Sequence, residues 1–191
     1  MASTKVLIAD DDPIILLDLK QMLESLGYEV IGEAGDGKQA FELAQKLTPD
    51  ICVLDVKMPV MDGIDAASQI ADAGIAPVIL LTAYSDRELV ERANEAGVFG
   101  YLVKPFKPND LPPAIEVAKG RFETNKQLTQ EVSDAKERLE ARKLVDRAKG
   151  ILMQEHGIDE AEAYRRIQLQ SMNNRKSMRE VAEAIILAKS V

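Results

Sequence analysis

The chain has 191 residues, 46% hydrophobic but only 4% aromatic and without tryptophan, so an aliphatic core is expected in one ordinary domain plus a small one, or in a single larger one. One cysteine, Cys52, excludes an internal disulfide and a cysteine-rich zinc site; no secretory h-region and no apolar run approaching about 18 residues is present, so a soluble cytoplasmic protein without membrane association is expected. The net charge of −8 opposes a nucleic-acid partner only on average: residues 138–191 carry eleven Lys/Arg against eight Asp/Glu, whereas residues 1–137 carry thirteen against twenty-four, and halves of opposite sign suggest different partners.

Residues 1–107 alternate short apolar runs with helical patterns. Val6-Leu7-Ile8-Ala9, Ile51-Cys52-Val53-Leu54, Val78-Ile79-Leu80-Leu81 and Tyr101-Leu102-Val103 read as strands buried on both faces, and Glu29–Ala34 supplies a fifth. Helical patterns run from Pro13 to Leu26, Asp36 to Leu47, Asp62 to Ala73 and Ser85 to Glu95. Pro13 suits a first helical position, and Gly27, Gly74 and Gly97 stand where a left-handed residue would end a helix. Strands alternating with helices imply right-handed crossovers and an α/β, doubly wound parallel sheet.

From about Leu111 only helical patterns remain, with Pro112 and Pro113 fit to start a helix but not to lie deep within one. Leu128, Val132, Ala135 and Leu139 are spaced 4, 3 and 4 apart, a short a/d seam that reads as a paired helix joining two domains. Asp159 with Glu162, and Ser177 with Glu180, fit capping boxes that start two further helices, while His156-Gly157 looks like a helix end. Ala161, Tyr164, Ile167 and Met172 are expected on the core face of the first helix, and Met178, Val181, Ala182, Ile185 and Ile186 on that of the second. With Leu144, Ala148, Ile151 and Leu152 they make a three-helix bundle with a small core. The expected boundaries are 1–122 for the α/β domain, 123–137 for a helical linker or coiled coil and 138–191 for the bundle.

Each buried run ends in a polar signature: Asp10-Asp11, Asp55, Thr82-Ala83 and Lys104-Pro105. In an open α/β sheet the crevice for chemistry lies beyond the carboxyl ends of the strands, so these side chains are expected at one edge. Three carboxylates there repel one another and favour a cation; Mg²⁺, which keeps several waters, needs only one or two of them. Asp55 can then accept a phosphoryl group, with the Lys104 ammonium and the Thr82 hydroxyl as phosphate-oxygen partners. A lone aspartate at a strand end is usually a turn residue, and Lys-Pro alone carries no meaning. Four signatures in order, each closing a strand, carry the reading.

This arrangement resembles the receiver domain of two-component response regulators, over about residues 3–122. The resemblance implies a flavodoxin-like sheet of five strands in the order 2-1-3-4-5 and a sensor histidine kinase as phosphoryl donor. Asp55 would be the phosphoacceptor; Asp11, Asp55 and the backbone carbonyl of Lys57 would ligate Mg²⁺, with Asp10 assisting. Thr82, Lys104 and Tyr101 would sense the phosphate, and Met58-Pro59 with Asp62-Gly63 would form the loop after the acceptor.

The basic residues of the C-terminal region cluster at Arg142-Lys143, Arg147, Lys149, Arg165-Arg166 and Arg175-Lys176 with Arg179. Charge alone favours a solvated helix bundle with Tyr164 in its core. The run Arg142 to Met153, then Glu162-Ala163-Tyr164, then Asn174 to Ala182, is similar to the ANTAR domain, over about residues 132–190. That resemblance implies an RNA-binding output module of antiterminator regulators, acting as a dimer on RNA stem-loops. Arg147, Lys149, Arg165, Arg166, Arg175 and Lys176 are the implied RNA contacts. The resulting expectation is a non-enzymatic response regulator whose phosphorylation promotes homodimerisation and antitermination. A DNA-binding regulator would need a helix-turn-helix pair before a basic helix, which is not found. A phosphatase resembling the haloacid dehalogenase family would need an aspartate at position 57, where Lys57 stands.

Overall fold

The computed structural model describes residues 3–83, 92 and 97–189. The expected Ser85–Glu95 helix therefore lies outside the described residues apart from Arg92. The chain divides into two compact units, Met1–Gln127 and Leu128–Val191.

In the first unit, β1 (Lys5–Ala9), β2 (Glu29–Ala34), β3 (Ile51–Asp55), β4 (Val78–Thr82) and β5 (Gly100–Val103) form one parallel sheet in the order β2-β1-β3-β4-β5. This is the flavodoxin-like order expected. The apolar runs are continuous because successive side chains point to opposite, equally buried faces. Leu7, Cys52, Leu54, Val78 and Leu80 pack with α2 (Gly37–Leu47) and α3 (Gly63–Asp72). Val6, Ile8, Ile51, Val53, Ile79 and Leu81 pack with Leu19 and Leu23 of α1 (Pro13–Ser25), and with Leu111, Ile115 and Ala118 at the start of α4 (Leu111–His156). Burial pushes the Cys52 thiol up to about 12, the behaviour of an inert core thiol.

The helix starts have a shared chemistry. Asp12, Asp36 and Asp62 cap α1, α2 and α3, each carboxylate accepting a backbone N–H of the first turn. Gly27, Gly74 and Gly97 all have positive φ. α4 carries Pro112 and Pro113 in its first turn and ends at His156, followed by Gly157 at φ 64.

The second unit packs the later part of α4 against α5 (Glu160–Asn174) and α6 (Met178–Lys189). Val145, Ala148, Ile167, Val181 and Ala182 are its buried cluster, flanked by Leu144, Leu152, Met178, Ile185 and Ile186. One expectation is corrected here. α5 buries Ala163 and Ile167, whereas Tyr164 and Met172 are 45% and 68% exposed. A step of three residues falls about 60° short of a full helical turn, so Tyr164 and the exposed Ala161 drift progressively off the core face held by Ile167, and Ala163, four residues before Ile167, takes the position instead.

Candidate phosphoryl site and basic surface

The carboxyl ends of β1, β3 and β4, with the segment following β5, line a cavity of about 470 Å³ walled by Asp10, Asp11, Asp12, Asp55, Lys57, Thr82 and Lys104, among others. Register explains the meeting: Ala9 pairs with Leu54, Asp55 with Leu81, and Thr82 with Val103, so all the strands run out at the same edge. The backbone continues the grip, with Lys104 N–H donating to Thr82 C=O at 2.7 Å and Val56 N–H to Leu81 C=O at 3.0 Å. The Lys104–Pro105 peptide is cis.

Asp10, Asp55 and Thr82 are buried, at 1%, 8% and 7% exposure. The Lys104 ammonium spans the two acids, 2.7 Å from Asp10 Oδ2 and 2.5 Å from Asp55 Oδ1. The other Asp55 oxygen accepts the Lys57 N–H at 2.7 Å. Burial raises the Asp55 carboxyl above its ordinary range; Lys104 and the Lys57 N–H work downward without cancelling it, and Asp10 adds to the rise. Burial alone would lower Lys104, but the hydrogen bonds and charges of Asp10 and Asp55 together hold it above the usual lysine value.

The three successive aspartates diverge. Asp10 turns inward to Lys104 and accepts the Asp12 N–H at 3.0 Å. Asp11 is exposed at the cavity wall. Asp12 accepts the Ile14 N–H at 2.8 Å and so anchors α1. The sequence reading passed over Asp12, although an acid directly before Pro13 was a usable capping signal.

Among the described residues, no three His, Cys, Asp or Glu side chains form a ready metal-binding group. The donor chemistry nevertheless fits Mg²⁺. Two buried carboxylates share one ammonium, leaving negative charge uncompensated, and Asp11 and Lys57 line the same cavity. Tyr101 lies on β5, 51% exposed.

Gly63, expected in the loop after the acceptor, has no room for a side chain. A Cβ there would collide with the backbone carbonyl of Asp55, and the Gly63 N–H donates to Val56 C=O at 2.9 Å. The acceptor loop can therefore fold back onto the end of β3 only through glycine.

The six basic candidates of the second unit separate into two groups. Lys149, with a side chain only 13% exposed, pairs with Asp146 and Glu160, both at 2.7 Å, and Arg166 pairs with Glu162 at 3.3 Å. Arg147, Arg165, Arg175 and Lys176 are exposed and have no ion-pair partner among the described residues. Arg175 and Lys176 precede α6, whose Ser177 and Glu180 form the expected box: the Ser177 N–H donates to Glu180 at 2.7 Å, and the Glu180 N–H to Ser177 Oγ at 3.2 Å.

No helix of the described residues is long and apolar enough to cross a membrane. Residues 6–116 match the response regulator receiver domain and residues 133–186 the ANTAR domain. The chain is 53% identical over 182 residues to the transcriptional regulatory protein PdtaR of Mycobacterium tuberculosis, covering 95% of this chain and 89% of that protein. The chemotaxis protein CheY of Thermotoga maritima is 38% identical over 112 residues, covering 58% of this chain and 93% of that protein. Among solved structures, the signal receiver domain of a modulated diguanylate cyclase from Desulfovibrio desulfuricans superposes with a TM-score of 0.60 at 34% identity, covering 65% of this chain and 99% of that one. A CheX–CheY–beryllofluoride–Mg²⁺ complex from Borrelia burgdorferi gives 0.55 at 30% identity, covering 59% of this chain and 86% of that one. The buried acid–lysine cluster at the edge of a 2-1-3-4-5 sheet, the bundle behind it in sequence and these likenesses lead to one statement: the chain belongs to the response regulators, with a receiver domain followed by an ANTAR domain.

Proposed function

We infer that this chain is a phosphorylation-controlled antiterminator, in which a phosphoryl group on Asp55 promotes dimerisation and the ANTAR unit binds RNA stem-loops. The observation that carries the reading is the Lys104 ammonium held between Asp10 and Asp55. A buried carboxylate with one oxygen on a backbone N–H and the other on an ammonium is held in one orientation for in-line transfer. An Asp55 oxygen displaces the imidazole of a phosphohistidine on a sensor kinase, forming a P–O bond as the P–N bond breaks. Asp10, Asp11, Asp55 and the Lys57 carbonyl would hold Mg²⁺, which when bound neutralises charge on the phosphoryl oxygens. Lys104 follows the new phosphate oxygen with its ammonium, and the Thr82 hydroxyl, lining the same cavity, supplies a second donor. Tyr101, exposed on the neighbouring strand, is the surface residue through which the altered Thr82 position is reported.

Pairing of chains is supported by the 4-3-4 seam, in which Leu128, Val132 and Leu139 are each 54% exposed. Two ANTAR units on one RNA would make the second contact effectively intramolecular. Phosphate contacts fall to the unpaired cations Arg147, Arg165, Arg175 and Lys176; Lys149 and Arg166 contribute by shaping the surface through their ion pairs. The domain limits proposed for these roles remain 1–122, 123–137 and 138–191.

The test is sedimentation and RNA gel shift of the full chain with Mg²⁺, with and without acetyl phosphate. Tighter RNA binding and a larger species are expected only with acetyl phosphate, and neither in Asp55→Ala. Identical behaviour of parent and variant in both conditions would defeat the coupling. Duplex DNA competing as well as stem-loop RNA would favour a DNA-binding regulator instead.

A further inference from the structure

We propose that the outward face of α5 is a stacking platform for an unpaired RNA base, with Tyr164 as the ring and Arg165 and Arg175 as its phosphate clamps. This deepens the RNA-binding reading above and rests on it. At about 100° per residue, Arg165, Leu169 and Met172 lie within about 60° of one another, opposite the buried Ala163 and Ile167, and Tyr164 stands at the edge of that side, about 80° from Met172 and about 60° from Ile167. Tyr164, Leu169 and Met172 are 45%, 47% and 68% exposed, so the ring is open to solvent and further apolar side chains are exposed along the same helix.

The charge around that surface selects its occupant. The two carboxylates of α5, Glu160 and Glu162, are engaged by Lys149 and Arg166. Arg165 has no ion-pair partner among the described residues, and neither has Arg175, which ends the helix in the left-handed conformation. An exposed aromatic ring with one uncompensated guanidinium on the next residue, and another about three turns further along the helix, matches a splayed nucleobase with the phosphates of its strand. A second copy of the chain fits less well: a two-fold contact through this face would bring the same arginines towards one another without an acid to receive them. A duplex also fits poorly, because its bases are already stacked and its phosphates alone would engage the arginines.

The experiment uses the full chain with Mg²⁺ and acetyl phosphate and three labelled RNAs: a hairpin with a loop of unpaired adenines, the same hairpin with abasic loop sites, and a blunt duplex of the same stem. The parent should bind the adenine hairpin roughly ten-fold or more tighter than the abasic one, the range that one base–aromatic stack supplies. Tyr164→Ala and Tyr164→Leu should lose that preference while keeping their affinity for the abasic hairpin, and Tyr164→Phe should retain it. Arg165→Ala should weaken both hairpins alike and lower the salt dependence by about one phosphate contact. Preference for the adenine loop surviving in both Tyr164→Ala and Tyr164→Leu would overturn the platform and leave the RNA-binding reading standing. Failure of the parent to bind any RNA would remove that reading itself. A smaller sedimenting species for Tyr164→Ala without RNA would assign the face to a second copy and also overturn the platform.

Discussion

The two units spend their charges in opposite ways. The receiver unit draws two carboxylates and a lysine into a nearly closed corner, where burial amplifies each charge and one proton or phosphoryl group alters the whole balance. The ANTAR unit keeps its charges at the surface, where ion pairs are individually weak. Their cores differ in parallel. The sheet is packed on both faces by aliphatic side chains, whereas the bundle's buried cluster is Val145, Ala148, Ile167, Val181 and Ala182. The candidate phosphoryl site therefore sits on the unit with the larger buried core.

The sharpest way to break this contrast is Asp55→Ala. Phosphorylation by acetyl phosphate, read by intact mass, should disappear entirely, while no single lysine or arginine substitution in the ANTAR unit should touch it. Next in size is Ile167→Ala. Deleting a fully buried side chain costs about 2–5 kcal/mol, which should open the small bundle while the receiver stays protected in hydrogen exchange. Equal loss of protection in both units would show that they are not energetically separate. Third, Arg147→Ala and Lys176→Ala should each lower RNA affinity with a salt slope smaller by about 1. Lys149→Ala should instead lower the melting temperature of the bundle with little change in that slope; the reverse pattern would return Lys149 to the RNA interface.

Smaller still is a pH effect. A carboxyl whose value is raised by folding gives stability that is complete below the ordinary aspartate value, about 3.9, and is lost as the pH rises through the raised value. Asp55→Asn should therefore flatten the decline in melting temperature on going from about pH 4 towards neutrality. The raised Lys104 works in another window: its contribution is complete below the ordinary lysine value near 10.4 and is lost only above it. An unaltered profile between pH 4 and 8 in Asp55→Asn would remove Asp55 as the titrating group. The smallest predicted change is at Val60, a β-branched residue at φ 66 and 83% exposed. Relief of a left-handed penalty of roughly 1–2 kcal/mol, offset by glycine's added chain entropy of roughly 0.5–1, should make Val60→Gly slightly stabilising in thermal melts.

Much of the receiver was legible because a strand buried on both faces leaves an unbroken apolar run, and the residue closing that run is displayed at the sheet edge. Asp10, Asp55, Thr82 and Lys104 could thus be gathered at one edge from the chain alone. That one ammonium holds both acids could not, since the partners lie 94 and 49 residues from it and only the crossovers set their spacing. The bundle was less legible because alanine is ambiguous. Ala163 fills the core position that Tyr164 was expected to take, and a large side chain at an approximate helical spacing is a poor guide when the true contact is small. Ion pairing was hidden for a similar reason: Lys149 looks like any surface lysine until Glu160 on the next helix is brought to it.

Asp10, Asp11 and Asp12 are three identical letters whose side chains enter a salt link, the solvent-facing wall and a helix cap. Their worth is positional, so losing or gaining one residue within the triplet would leave the composition nearly unchanged while reassigning every duty by one place. Single-residue deletions there should be more damaging than many substitutions, and a count of aspartates is no measure of whether a related chain can still be switched.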